Sequence, residues 1–244
     1  MQRPEAATLL HAWERGAAQG PGIRGLLLLA VAQPGATAEE LAATGIGRRD
    51  AVLLDLRELL FGRNLECVAH CAHCGEHIEL VFPTDGIRAD QSGGETFEAE
   101  AGGYRAAFRL PNCGDVLALA GEQDAAAAER TLLHRCLIAL TSPEGLDSPI
   151  EPPAELVVAI DTRMGELDSQ AQVVLDITCA MCTRAARATF DIATHLWSEV
   201  ETWARTQLSD IHAIASTYGW SEPQILALSP ARRRAYLELI EGRA

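Results

Sequence analysis

Lysine is absent from this 244-residue chain, and all 20 basic residues are arginine. That absence removes a Schiff-base lysine, a P-loop lysine and a serine–lysine dyad together. Positive charge as a whole is scarce, since 20 basic against 34 acidic side chains leave a formal charge of −14. Phosphate neutralisation needs a basic surface, so the balance argues against a general nucleic-acid binder. Long apolar runs are also missing. The densest, Leu26 to Val31, falls far short of the roughly 18 residues of a membrane span and reads as a buried helix. The N-terminus has no basic-then-apolar pattern, so export by a signal peptide is not expected. Motifs of known hydrolases and zinc deaminases are lacking too: there is no G-x-S-x-G, no H-E-x-x-H, and no H-x-E with P-C-x-x-C.

What remains is an ordinary globular balance, 48% apolar and 22% charged, long enough for one large domain or two small ones. Seven cysteines stand out. An odd number with C-x-x-C spacing suits a reducing compartment and metal better than a disulfide framework. The pairs are Cys71-Ala72-His73-Cys74 and Cys179-Ala180-Met181-Cys182, each beside strand-like apolar runs. Two such pairs supply the four thiolates of a closed tetrahedral zinc site, with the metal clamping two hairpin tips. A usual ribbon leaves roughly 15–20 residues between its pairs. Here a whole subdomain would be inserted between the knuckles. Gly75 follows the first pair as a tight knuckle wants, whereas Thr183 follows the second.

Other uses of these residues stay open at this stage. The thiols could be inert or locally paired, or form a redox dithiol, although the flanks show no thioredoxin-type βαβ context. Cys67, His70, His73 and His77 crowd the first knuckle and could complete a local site with Cys71 and Cys74. Cys113 and Cys136 read as buried small hydrophobes. Among the remaining histidines, His195 follows Asp191 by four residues, a spacing that a helix-capping aspartate explains.

The periodicity places these pairs in an α+β chain. Helical N- and C-terminal parts, residues 1–66 and 193–244, flank a small antiparallel, zinc-ribbon-like body over 67–192. Leu9, Leu10 and Trp13 start a helix that Gly20-Pro21-Gly22 breaks, and a second runs from about Ile23 to Ala32. Thr37 with Glu40 forms a capping box for Glu39 to Ala43. Asp50 is expected to cap a helix that Gly62 ends. Within the body, Gly102-Gly103 predicts a tight hairpin with Phe97 opposite Phe108 and Glu100 opposite Arg105. Asp115 to Leu140 reads as one helix inside an inserted stretch, 113–140. Gln91 to Gly94 reads as a loop, and 141–153 as a proline-rich linker. The C-terminal stripe Leu196, Val200, Trp203, Ala204, Leu208, Ile211, Ala215 and Tyr218 is helical, ends at Gly219, and is followed by starts at Ser221 and Ser229.

Several phrases, taken in this order, resemble a known family. They are Leu10-x-x-Trp13-Glu14-Arg15, Gly47-Arg48-Arg49-Asp50, Leu56-Arg57-Glu58-x-x-Phe61-Gly62, Arg109-Leu110-Pro111 with Asp115, Phe190-Asp191-Ile192 with Leu196-Trp197-x-Glu199, and Tyr218-Gly219-Trp220-Ser221 onward to Tyr236-Leu237. The chain resembles baseplate-related proteins of contractile phage tails and extracellular contractile injection systems, of the T4-type baseplate and hub-assembly chaperone group. The resemblance implies a non-enzymatic baseplate subunit or assembly chaperone, built in the cytoplasm and either retained in the particle or released. Its partners would be other baseplate or tail proteins, with no nucleic acid, membrane insertion or small-molecule substrate. A zinc-dependent enzyme and an acidic zinc-ribbon adaptor are the competing classes. A docking surface is expected at the C-terminus, where Arg232 and Arg233 open the last helix beside Trp220 and Tyr236.

Overall fold

Four helices precede the first cysteine pair in the computed structural model, which describes residues 1–89, 93–144 and 151–242. Helix α1 (Ala6–Gly16) buries Leu9, Leu10 and Ala12 and ends on Gly16. A side chain at Gly16 would collide with Trp197, since its Cβ would lie 2.2 Å from the indole. Helix α2 (Pro21–Ala32) begins two residues earlier than expected. Pro21 takes its first turn, where the missing N–H is no loss. Helix α3 (Ala38–Ala43) carries the expected Thr37–Glu40 capping box.

Helix α4 (Ile46–Phe61) overturns the expectation that Asp50 caps it. Asp50 lies inside the helix, buried, 2.7 Å from the Arg49 Nε. The start is served instead by Asp168, whose carboxylate accepts from the Gly47 N–H at 3.0 Å across 121 residues. Any side chain at Gly47 would overlap that carboxylate. Gly62 ends the helix at φ 93°, a conformation that favours glycine.

Two antiparallel hairpins follow far apart in the chain. Strands β1 (Asn64–His70) and β2 (His77–Pro83) form the first, in the register Leu65 to Phe82 and His70 to His77. Between them and the second hairpin lies the insert. Strands β3 (Phe97–Ala101) and β4 (Tyr104–Phe108) pair as expected, Phe97 with Phe108 and Glu100 with Arg105, around Gly102 and Gly103 at φ 59° and 81°.

The single helix expected over 115–140 is instead two helices and a strand. Helix α5 (Cys113–Ala118) has an Asn112–Asp115 capping box, and α6 (Ala125–Cys136) starts at the Asp124 cap. Strand β5 (Leu137–Thr141) then pairs with β4. The hairpin's exposed edge recruits an apolar segment that local periodicity assigns to helix, a tertiary override of propensity. Helix α7 (Ala154–Leu167) covers one face of this three-stranded sheet, where Phe108, Leu156 and Ile160 are buried. Parts of the expected 91–94 loop and 141–153 linker lie outside the described residues.

Strands β6 (Val173–Thr178) and β7 (Ala185–Phe190) make the second hairpin. Helix α8 (Ile192–Tyr218) is 27 residues long, about 40 Å. Asp191 caps it, and Gly219 ends it at φ 69°. Two short helices, α9 (Glu222–Leu226) and α10 (Pro230–Glu241), complete the described chain.

The helical ends form one body. Leu28, Leu53, Leu54 and Leu56 from the N-terminal part share a core with Leu196, Trp197 and Val200 of α8. Each fully buried leucine contributes about 1.5–3 kcal/mol, so this layer is a principal source of stability. The bases of both cysteine hairpins plug into the same core through Leu65, Phe82, Val173, Leu175 and Phe190. Phe82 and Phe190 meet edge to face at 5.7 Å. The hairpins are thereby anchored side by side at their bases before their tips meet. Among the described residues, no helix is long and apolar enough to cross a membrane.

Candidate metal centre

Each cysteine pair sits at the tip of one hairpin, and the two tips share one backbone plan. In the first, the Cys71 N–H donates to the Glu76 carbonyl at 2.8 Å, and the Gly75 N–H to the Cys71 carbonyl at 2.8 Å. In the second, the Cys179 N–H donates to the Arg184 carbonyl at 3.0 Å, and the Thr183 N–H to the Cys179 carbonyl at 2.9 Å. Gly75 has φ 76° and Thr183 φ 58°. Both turns therefore enter the left-handed region directly after the second cysteine. This plan turns both sulfurs of each pair to one side.

The structure brings Cys71, Cys74, Cys179 and Cys182 together, with their sulfurs all within 4.8 Å of one another. Cys71 Sγ lies 3.7 Å from Cys182 Sγ, and Cys74 Sγ lies 3.7 Å from Cys179 Sγ. Sulfur bonded to zinc at about 2.3 Å in a tetrahedron gives edges of about 3.8 Å, which these distances match. They are much too long for the roughly 2.05 Å of a disulfide, and all seven cysteines are free thiols. The four cysteines form a structural zinc site of the ribbon type. Cys71 and Cys179 are buried, Cys182 half-buried and Cys74 exposed, so the cluster closes the far end of the ribbon and keeps one edge at the surface.

The local electrostatics favour metal binding. The Cys71 sulfur accepts the backbone N–H groups of His73 and Cys74, which brings its thiol down to about 6. Cys74 receives the Glu76 N–H, but hydrogen bonding with the Cys71 thiol, burial, and the Cys179 and Cys182 thiols hold its proton, up to about 12. Four adjacent sulfurs cannot all ionise without a cation among them, and a zinc ion supplies that charge.

The local alternative is not assembled. Cys67 lies back in β1 opposite Leu80, half-buried, and burial raises its thiol. His70 and His77 form an edge-to-face ring pair at 4.5 Å, on exposed positions. His73 is exposed too, its Nδ1 at 3.5 Å from an Arg184 nitrogen on the opposite knuckle. Cys113 and Cys136 are buried as expected, and burial raises both, Cys136 to about 11.

Other charged residues singled out from sequence turn into internal ties. Arg57 grips Glu199 with two nitrogens, at 2.7 and 3.0 Å, and also donates to the Gly62 and Asn64 carbonyls. It thus binds the turn that launches β1 to helix α8. The fully buried Asp115 carboxylate receives Arg109 at 2.6 Å and Arg135 at 2.8 Å, together with the Asn112 N–H. Asp191 spends its carboxylate on the Ala193 and Thr194 N–H groups, while His195 Nε2 lies 3.5 Å from Glu199. Asp168 and Glu199 went unnoticed as anchors in the sequence, although Gly47 marked the place where a foreign side chain comes close.

At the C-terminus the expected docking residues separate. Arg232 is exposed, whereas Arg233 is 7% exposed and donates to Gln207 on α8. Helix α10 packs the Arg233 side chain inward against α8, so it is not part of a solvated face. Trp220 and Tyr236 are half-buried in an aromatic cluster with Tyr218, Trp220 stacked on Tyr218 and Tyr236 edge to face with both, with centroids 4.9–5.4 Å apart. Comparison of the chain with protein-family models, curated proteins and solved structures finds no match.

Proposed function

We propose that the chain is a non-enzymatic structural or assembly component of the baseplate of a contractile phage-tail-like injection system, stapled by one structural zinc. The observation that carries the scaffold part is the four-sulfur cluster spanning two hairpins 105 residues apart in the chain. A cluster whose four positions are all sulfur leaves no open position for a substrate or an activated water. The assignment to a baseplate rests on the resembling phrases. Their charged residues work as structural ties: Arg49 with Asp50, Arg57 with Glu199, Arg109 with Asp115, and Asp191 as a helix cap. Phrases of this kind specify a fold, as a scaffold or assembly protein requires.

Mass spectrometry of particles purified from the producing cells tests the reading. Recovery in assembled particles at a fixed ratio to other baseplate proteins would identify a resident subunit. Recovery only with unassembled baseplate proteins would identify an assembly chaperone. Recovery with neither overturns the proposal.

A further inference from the structure

The four sulfurs of the metal centre are not equally shielded. Cys71 and Cys179 are buried and Cys182 is half-buried, whereas Cys74 is exposed. A thiolate at the surface is the one that a dissolved oxidant reaches first. The other three cysteines lie outside the cluster. Cys67 is half-buried within β1, opposite Leu80, and Cys113 and Cys136 are buried on α5 and α6.

The way the sulfurs face one another is the second observation. Cys74 Sγ lies 3.7 Å from Cys179 Sγ, and Cys71 Sγ lies 3.7 Å from Cys182 Sγ. Both contacts cross from one hairpin to the other, between residues 105 and 111 positions apart. A disulfide needs roughly 2.05 Å, so each pair has to close by roughly 1.65 Å, a movement that two side chains share. The hairpin bases stay in place meanwhile, because Leu65, Phe82, Val173, Leu175 and Phe190 pack in the helical core. The tips therefore remain neighbours when the metal leaves.

We infer that the centre is a site of reversible oxidation by peroxide, at which two disulfides between the hairpins, Cys74–Cys179 and Cys71–Cys182, take over the clamp from zinc. The inference rests on the zinc site and not on the baseplate reading. The Cys74 thiolate attacks one peroxide oxygen; an S–O bond forms as the O–O bond breaks, and hydroxide leaves. The Cys179 thiolate then attacks the Cys74 sulfur, the S–S bond forms, and the sulfenic oxygen departs as a second hydroxide. Two electrons have then passed from the two sulfurs to one peroxide. With these thiolates consumed, zinc keeps only Cys71 and Cys182 and dissociates, and a second peroxide joins that pair in the same way. A thiol reductant reverses both bridges, and zinc binds again.

The test uses the purified full chain, with zinc content measured before hydrogen peroxide is added. Because lysine is absent, trypsin cuts only after arginine. Cys71 and Cys74 then share the peptide 64–88, and Cys179 and Cys182 share the peptide 164–184. Bridges between the hairpins join the two peptides, whereas bridges inside each knuckle leave them separate. The expected result is loss of the bound zinc, joined peptides that come apart with dithiothreitol, and a melting temperature that a chelator no longer lowers. Fragmentation of the joined product should pair Cys74 with Cys179 and Cys71 with Cys182. Cys67→Ser, which spares all four ligands, should give the same product. Separate peptides, the diagonal pairs Cys71–Cys179 and Cys74–Cys182, oxidation to sulfinic or sulfonic acid in place of bridges, or zinc retained through the treatment would each overturn the inference. So would loss of the joined product in Cys67→Ser. A chain isolated without zinc would fail the metal reading instead, and the peptide map would still judge the pairing.

Discussion

The two knuckles solve one geometric problem with different residues. Both close the same pair of backbone hydrogen bonds, and both put the residue after the second cysteine at positive φ. In the first knuckle that residue is Gly75, for which the conformation is free of strain. In the second it is Thr183, the one non-glycine residue at positive φ among those described. A β-branched residue there is an outlier that persists only where its surroundings over-determine it. The difference teaches that the second knuckle needs more holding than the first, from its own Cys179–Arg184 and Thr183–Cys179 backbone bonds or from what it clamps. Hairpin bases packed on the helical core bring the tips close, and the shared metal supplies the remaining constraint.

The largest expected effect comes from taking away the clamp. Cys71→Ser and Cys179→Ser should each lose zinc and cooperative stability together, because metal binding is coupled to folding. The loss should be several kcal/mol yet well below the ~10–16 kcal/mol of zinc-finger peptides, since Phe82 and Phe190 still anchor the bases. Metal analysis with thermal melting checks this, and similar losses in the two variants would show that the knuckles contribute equally. Full zinc content and unchanged melting in both would break the comparison at its root.

Chelating the metal from the wild type exposes a pH dependence. The Cys71 thiol, lowered in the fold, contributes stability that is complete above the ordinary thiol range and lost as pH falls through about 6. Cys74, raised in the fold, contributes stability present below the ordinary range and lost as pH rises through about 12. The metal-stripped chain should therefore melt highest between these limits, and the zinc-loaded chain should show a flatter profile over that window. Melting curves of both forms across pH would measure it, and a stripped chain indifferent to pH would contradict the assigned environments.

A smaller effect follows from exchanging the knuckle residues. Nothing lies within 4 Å of a Cβ built on Gly75. Gly75→Thr therefore meets no steric obstacle at Cβ, and its cost is the left-handed strain of about 1–3 kcal/mol, less about 0.4–1 kcal/mol for a stiffer unfolded chain. Denaturant unfolding of the zinc-loaded variant should show that loss. A neutral result would mean that the left-handed turn carries no penalty here, and the contrast with Thr183 would lose its meaning.

How much of this was readable in the residues depended on how local the cause is. The Thr37–Glu40 box, the Gly62 and Gly219 stops and the register around Gly102-Gly103 all follow from neighbours within a few positions. The four-cysteine set was legible despite its separation, because C-x-x-C spacing encodes a knuckle wherever it stands. What escaped reading was non-local. Asp50 looked like a cap only because the true one, Asp168, arrives from 121 residues away. Leu137 to Thr141 became a strand because the edge of β4 was available to it. Arg233 reads as surface charge until α10 folds back on Gln207. Choosing the zinc ligands over Cys67 and the histidines likewise needed the second hairpin in place.

The smallest effect, and the most discriminating, is Thr183→Gly. The substitution releases a left-handed strain of about 1–3 kcal/mol. It also makes the unfolded chain more flexible, which costs about 0.4–1 kcal/mol. The Thr183 Oγ1 donates to the Cys182 carbonyl at 2.8 Å, on an exposed residue where water replaces that bond readily. The net expectation is a gain of roughly 0–2.5 kcal/mol, or at most about 10 °C in melting temperature for a chain of this size. The comparison sharpens when the same variant is measured without metal. If zinc holds Thr183 in its left-handed turn, the stripped wild type can relax that turn, and the strain disappears from its folded state. The glycine advantage should then shrink or reverse in the metal-free protein while remaining in the loaded one. An equal gain in both states would locate the strain in the hairpin itself, with β6 and β7 imposing the turn and the clamp merely tolerating it.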